Sequence, residues 1–286
     1  MSKRDVLLGL GAGAGALASG ALPDAGAEAA AAGGGRFTGL VVIGDSLSDM
    51  GNGGRFSDGP VWVERLAERL GLPLRPSRTG GTNHAVGGAR VRGGPDDLRG
   101  QANVYLGKAR RGGGGPDPAV LHIVWGGAND VLGAGYAPDR DRTAAEAATA
   151  VGTIVGDLAD AGAAHVMVLD LPDVGRTPAL RAGGPALAAE GRRLTQAFNA
   201  ALTPTLDRAE RRHKALRLTR LDVFAMAERV FADPAAAGFR DVANPCQGRG
   251  GSCEGVLFWD QIHPTSYAHA RLAAAALESL GISAED

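Results

Sequence analysis

The chain has 286 residues, 44% of them hydrophobic and 21% charged, a balance typical of soluble globular chains that excludes disorder over the whole length. Thirty basic against 31 acidic residues give a net charge of −1, so no overall field exists to hold a nucleic acid or an anionic membrane. Only three of the basic residues are lysine, in a chain with 45 glycines; that bias reads as genomic codon usage and carries no function.

Residues 1–35 read as an export signal and flexible linker rather than as fold. Lys3 and Arg4 precede a weakly apolar stretch from Val6 to Leu22. Small residues follow, with A-x-A cleavage patterns at Ala25-Gly26-Ala27 and Ala27-Glu28-Ala29. The Gly-rich middle after a basic pair is similar to a twin-arginine signal, although a true Arg-Arg pair is missing. The stretch is too short and too poorly apolar to span a bilayer. Export to the periplasm or medium is expected, without stable membrane insertion. Residues 36–286 remain as one domain, enough for one well-buried core.

Along that domain, residues 39–45 form a short apolar run, Leu40-Val41-Val42-Ile43, whose β-branched content predicts a fully buried strand. Residues 61–70 place Val63, Leu66, Ala67 and Leu70 on one helical face. A second strand is predicted over 119–125. Thr143-Ala-Ala-Glu146 is a capping-box pattern, and Val151, Ile154, Val155 and Leu158 follow at helical spacing. Residues 165–170 and 216–222 read as further strands. Between them Leu187, Leu194, Phe198 and Leu202 line a helix that Pro204 is expected to end or kink. A last helix is expected over 264–280. Residues 112–118 and 133–142 look like surface loops. Continuously apolar strands alternating with helices imply a parallel sheet covered on both faces. The expected fold is a single α/β domain, a three-layer sandwich with a mostly parallel sheet.

Cys246 and Cys253 lie seven positions apart in a Gly-rich loop. In an oxidising compartment they can bridge, and no further ligand spacing supports zinc. His84, His122, His165, His213 and His269 show no ligand spacing either. No G-x-x-x-x-G-K and no G-x-G-x-x-G after a strand is present, so neither metal nor cofactor is expected.

In such sheets ligands bind beyond the carboxyl ends of the strands, and three motifs follow strands or loops in that way. Gly44-Asp45-Ser46-Leu47-Ser48-Asp49-Met50-Gly51-Asn52 leaves the first strand. Alone it also reads as a polar turn capping a helix. Gly126-Gly127-Ala128-Asn129-Asp130 leaves the second strand and offers the Asn129 amide as a donor, or a simple turn. In Asp260-Gln261-Ile262-His263-Pro264 the carboxylate can hydrogen-bond the ring three residues on and fix its tautomer. A fourth segment, Asn83-His84-Ala85-Val86-Gly87-Gly88-Ala89, lets backbone approach a ligand closely. Each is weak alone. Together they hold the parts of an acyl-transfer site: nucleophile, base, orienting carboxylate and oxyanion donors. A G-x-S-x-G elbow is absent, which sets aside the α/β-hydrolase arrangement.

These four segments, in this order, resemble the sequence blocks of the GDSL esterase/lipase family, the SGNH hydrolases. The likeness runs over about residues 38–282. Gly44-Asp45-Ser46-Leu47 matches the first block, Gly87 the second, Gly127-Ala128-Asn129-Asp130 the third and Asp260-Gln261-Ile262-His263 the last. Ser48-Asp49-Met50-Gly51-Asn52, Phe258-Trp259-Asp260 and the paired cysteines are similar to an exported branch with phospholipases and haemolysins. The resemblance implies Ser46 as nucleophile, His263 as general base and acid, and Asp260 as its orienting partner. It implies an oxyanion hole from the N–H groups of Ser46 and Gly87 and the side chain of Asn129, with Gly88 as rival to Gly87. Asp49 and Asn52 are expected to brace the serine loop. Trp125 and Trp259 are expected to pack in the core, with the lining of an acyl or glycosyl subsite as the alternative. The implied activity is hydrolysis of a carboxylic ester of a small molecule, lipid or carbohydrate. Acyl transfer by the same residues, and a non-catalytic glycan- or lipid-binding protein on this fold, are the alternatives. With no appended barrel after the last helix, display on an outer membrane is not expected.

Overall fold

The computed structural model describes residues 36–134, 137 and 139–282; the export signal read at residues 1–35 lies outside them. The four predicted strands form as β1 (Gly39–Gly44), β2 (Val120–Trp125), β3 (His165–Leu169) and β4 (Arg217–Leu221). They pair in parallel in the order β1-β2-β3-β4. Helices α1 (Trp62–Arg69), α2 (Leu98–Arg111), α3 (Ala128–Ala134) and α4 (Arg140–Asp160) are followed by α5 (Pro178–Ala182), α6 (Pro185–Arg212), α7 (Val223–Ala232) and α8 (Ser266–Ser279). Strands β5 (Asp241–Pro245) and β6 (Val256–Phe258) make a separate parallel pair.

The sheet is apolar throughout because both its faces are covered. Leu40, Val42, Leu121, Ile123 and Met167 pack under α1 and α8, against Trp62, Leu66, Leu272 and Leu277. Ile43, Val124, Val166 and Val168 pack under α2, α4 and α6, against Leu98, Ile154, Leu158 and Phe198. This is the expected three-layer α/β sandwich. On the far layer α4 and α6 come close because residue 152 is glycine; a Cβ there would lie 2.4 Å from Thr205 Oγ1.

β1 would be an exposed edge, but residues 82–86 run beside it. Val42 N–H donates to Thr82 O (3.1 Å), His84 N–H to Val42 O (2.7 Å) and Val86 N–H to Gly44 O (3.2 Å). The fourth motif therefore satisfies the free edge of the sheet. It also puts its glycines next to the end of β1. The chain steps to one side of β1 for this segment and to the other for β2, which makes the end of β1 a topological switch point.

Four local expectations differ from the structure. α4 starts before the Thr143 box, with Asp139 as the cap: its carboxylate accepts Arg142 N–H (3.2 Å), and Thr143 Oγ1 donates to Asp139 O (2.9 Å). Pro204 does not end α6, which runs through it to Arg212. Pro204 and Ala200 are exposed, so water can take the carbonyl that the proline leaves unbonded, while Phe198, Leu202 and Leu206 pin the helix on both sides. Leu187 does not join that buried face and is 45% exposed. The last helix begins after Pro264, with Thr265 as N-cap accepting Ala268 N–H (3.1 Å).

Cys246 and Cys253 form a disulfide with Cα atoms 5.5 Å apart. The loop it closes is tied to the strand before Asp260: Cys246 N–H donates to Phe258 O (3.0 Å) and Gln247 N–H to Trp259 O (2.8 Å). Phe198 is fully buried at the centre of the far layer. Phe198→Ala should lower the unfolding free energy by about 3–5 kcal/mol in a urea titration. A loss under about 1 kcal/mol would contradict this packing.

Candidate active site

The exit of β1 is held from several sides. Gln101 brackets Gly44, its Oε1 accepting the Gly44 N–H and its Nε2 donating to the Gly44 carbonyl, both at 2.8 Å. A Cβ on Gly44 would lie 2.9 Å from Trp125 O, so only glycine lets β1 and β2 end this close together. Beyond it the chain turns, with Leu47 N–H on Asp45 Oδ1 (3.0 Å) and Ser48 N–H on Asp45 O (3.1 Å). Ser48 Oγ accepts the indole N–H of Trp62 (3.1 Å).

Asp49 and Asn52 brace this loop as expected. Asp49 is fully buried and accepts four backbone N–H groups, from Gly51 (2.8 Å), Asn52 (2.7 Å), Gly53 (2.8 Å) and Gly87 (2.8 Å). Asn52 Nδ2 donates to the carbonyls of Asn83 (2.7 Å) and Ala85 (2.9 Å). Together they lock the serine loop to the glycine segment.

That lock changes one expectation. The Gly87 N–H is engaged by Asp49, so it is not free for a ligand oxygen. Gly88 lines the cavity instead. The two glycines are required for different reasons. A Cβ on Gly87 would lie 2.1 Å from the Phe56 ring, whereas Gly88 has open space around it but φ +79°, a left-handed conformation. Asn129 sits in the first turn of α3, oriented by its Nδ2 bond to Ala89 O (2.9 Å). Gly127 before it has φ +116°, and a Cβ there would strike Phe198 at 2.4 Å.

The third loop brings the imidazole. Asp260 Oδ1 accepts the N–H groups of Ile262 (2.8 Å) and His263 (2.6 Å), and Trp259 N–H donates to His263 O (2.8 Å). This folds residues 259–263 into a tight turn. Asp260 Oδ2 then meets His263 Nδ1 at 2.7 Å, and His263 Nε2 meets Ser46 Oγ at 3.0 Å. Burial pushes the Asp260 carboxyl up, but its hydrogen bonds from the His263 ring and from the two backbone N–H groups outweigh that and hold it below the usual carboxylate range. An ionised carboxylate only accepts, so Nδ1 carries the ring proton and Nε2 offers its lone pair to the Ser46 hydroxyl. The Phe56 ring packs against His263, with centroids 5.1 Å apart.

Ser46, Gly88, Asn129 and His263 line one cavity of about 330 Å³. Trp125 is in its wall but also buried in the core, edge-on to Trp62 and donating its indole N–H to Asp170 O (2.9 Å). Trp259 is half-buried beside the disulfide loop. No group of His, Cys, Asp and Glu among the described residues is arranged to hold a metal ion.

Residues 40–276 match the family of GDSL-like lipases and acylhydrolases. The chain belongs to this family. Among its relatives is a phosphatidylcholine-sterol acyltransferase of Aeromonas hydrophila, 27% identical over 82% of this chain and 88% of that protein. Lipase 1 of Photorhabdus luminescens is 34% identical over 50% of this chain, which spans 23% of that lipase. In three dimensions the chain is similar to an acetylxylan esterase from Geobacillus stearothermophilus, with a TM-score of 0.53 at 18% identity, covering 85% of this chain and 94% of that one; this likeness concerns the fold.

The family blocks account for Ser46, Asn129, Asp260 and His263, but other parts of the site carry no motif. Phe56 is one, because nothing in sequence pairs it with residues 87 and 263. His269 is another: it is buried in the cavity wall with neither ring nitrogen bonded among the described residues, and burial pushes its pKa down to about 3. The third is Asp45. It is fully buried, its Oδ2 has no partner among the described residues, and desolvation raises its pKa from 3.8 to about 7. Because the folded value lies above the unfolded one, the carboxyl favours the folded state fully below pH 3.8. That contribution is lost as pH rises through about 7. Asp45→Asn carries no such proton. Its stability relative to the wild type should therefore rise between pH 4 and pH 8 in thermal unfolding, and a pH-independent difference would contradict the assignment.

Proposed function

We propose that the protein is an exported carboxylic ester hydrolase acting through a Ser46 acyl-enzyme. The contact that supports this reading most is His263 Nε2 on Ser46 Oγ at 3.0 Å, with Asp260 on the other ring nitrogen. A serine hydroxyl is a poor nucleophile until a base takes its proton. In the proposed cycle Ser46 Oγ attacks the ester carbonyl carbon as its proton passes to His263 Nε2. The carbonyl π pair moves to oxygen, and the resulting oxyanion is met by the N–H groups of Ser46 and Gly88 and by the Asn129 amide. The bond to the alcohol oxygen then breaks, the oxygen takes the proton from Nε2, and the alcohol leaves. Water repeats the sequence on the acyl-enzyme and releases the acid. Asp260 holds the imidazolium in place throughout.

Gly88 replaces Gly87 in this proposal because the Gly87 N–H is bound by Asp49, whereas no acceptor pairs with the Gly88 N–H among the described residues. Acyl transfer is the second reading, favoured by the similarity to the Aeromonas acyltransferase over 82% of this chain. The two differ only in whether water or an alcohol meets the acyl-enzyme, so product analysis with an added acceptor alcohol separates them. Export is supported by the bridged cysteines, which a reducing cytosol does not maintain. No helix of the described residues is long and apolar enough to cross a membrane.

Ser46→Ala should reduce turnover of short p-nitrophenyl esters by at least about 10³-fold with an unchanged circular dichroism spectrum. Asn129→Ala should lower kcat by about 10²–10³-fold. Wild-type rates in Ser46→Ala would overturn the proposal.

A further inference from the structure

Beyond the reacting atoms, the cavity is walled by apolar side chains from parts of the chain that carry none of the family blocks. α7 contributes Val223, Met226 and Val230, residues at i, i+3 and i+7 on one helical face. Leu257 comes from β6, Leu272 from α8, and Phe239 from the turn after α7. We infer that this cavity is an acyl-chain site, and that the protein acts on esters of medium-length fatty acids, on the order of eight carbons, rather than on acetyl esters of sugars. The inference rests on the ester-hydrolase reading given above.

Three observations carry it. The first is size. A methylene group occupies about as much space as a water molecule, roughly 30 Å³. A cavity of about 330 Å³ therefore holds the scissile ester and a chain of that order. An acetyl group would leave most of it empty.

The second is the state of the polar side chains in the wall. Asp173 is bound by Gly175 N–H (2.9 Å) and by Arg192 Nη1 (2.6 Å). The Thr177 hydroxyl donates to Val174 O (2.7 Å). Both are thus committed within the protein. His269 and Asp45 also line the wall, but their unpaired atoms are buried beneath its surface, and Arg271 Nε is bound to Ala237 O (3.0 Å). The hydroxyls of a sugar would therefore enter a largely apolar space with few partners, which costs free energy, whereas a hydrocarbon chain needs none.

The third is that the wall is held in place. The N-terminus of α7 is fixed by Asp170 Oδ1, which accepts Val223 N–H (2.7 Å) and Phe224 N–H (3.0 Å). Farther along, Glu228 takes a bidentate pair from Arg192 at 2.9 and 2.7 Å. These polar contacts anchor α7 in place. Its apolar face lines the same cavity as Ser46, and a fold gives up close packing where a ligand takes its place.

The test measures kcat/KM of the full chain on p-nitrophenyl acetate, butyrate, octanoate and dodecanoate. Each methylene that enters the cavity should raise kcat/KM by about fourfold. Octanoate, with about six more methylenes, should then exceed acetate by about three orders of magnitude. Met226→Trp puts a larger side chain into the cavity and should lower the octanoate-to-acetate ratio at least about tenfold. Ala227→Leu, a smaller intrusion at the next cavity-lining position of α7, should lower it in the same direction and serves if the tryptophan variant does not fold. Turnover confined to acetate, or a ratio that neither variant changes, overturns the chain site while leaving ester hydrolysis standing. No turnover of any ester, with wild type folded, overturns the hydrolase reading and this inference with it.

Discussion

The carboxylate of Asp49 is the constraint on which the rest of the site depends. It is fully buried, and its two acceptor oxygens satisfy four backbone N–H groups from two separate loops. Leaving those donors buried and unpaired would cost on the order of 1–3 kcal/mol each, so the loops have one low-energy arrangement. In that arrangement Ser46 stands at the end of β1, Gly87 lies flat under Phe56, and Gly88 turns toward the cavity. Phe56 in turn packs on the imidazole of His263. A residue that never touches substrate thereby positions three that would.

The sheet supplies the second level of order. Ser46, the glycine pair and Asn129 follow neighbouring parallel strands, or the segment paired beside β1, so their spacing is set by hydrogen bonds of the ladder rather than by loop length. The histidine comes from the opposite end of the chain and needs its own scaffold. The turn around Asp260 provides it, tied to β6 and to the disulfide loop. Rigid placement from both sides is what lets one hydrogen bond of 3.0 Å bridge residues 217 positions apart.

Much of this was legible in the residues. The strands announced themselves as β-branched apolar runs, because a sheet buried on both faces leaves no polar alternation to confuse. The spacing of Asp260 and His263 allowed their pairing, and the likeness to the last family block made it an expectation. Other features were hidden for physical reasons. α2 has only Leu98, Ala102 and Leu106 as a buried apolar stripe, diluted by glycine and arginine. β5 reads Asp-Val-Ala-Asn-Pro, which no strand pattern selects. Pro204 breaks helices in general, and only exposure of the preceding turn tells that here it does not. Gly87 and Gly88 are indistinguishable as letters; the choice between them is made by a carboxylate in another loop. The cavity is the deepest case, since Val223, Met226 and Leu272 would have the same identities in a closed core.

The central claim is that His263 activates Ser46 across the gap between the two ends of the chain. Reaction with a fluorophosphonate, followed by peptide mapping, tests it directly in wild type and in His263→Ala. The account predicts a single modified peptide carrying Ser46, formed at least about 10³-fold more slowly in the variant. A label elsewhere, or an equal rate in both proteins, would contradict it.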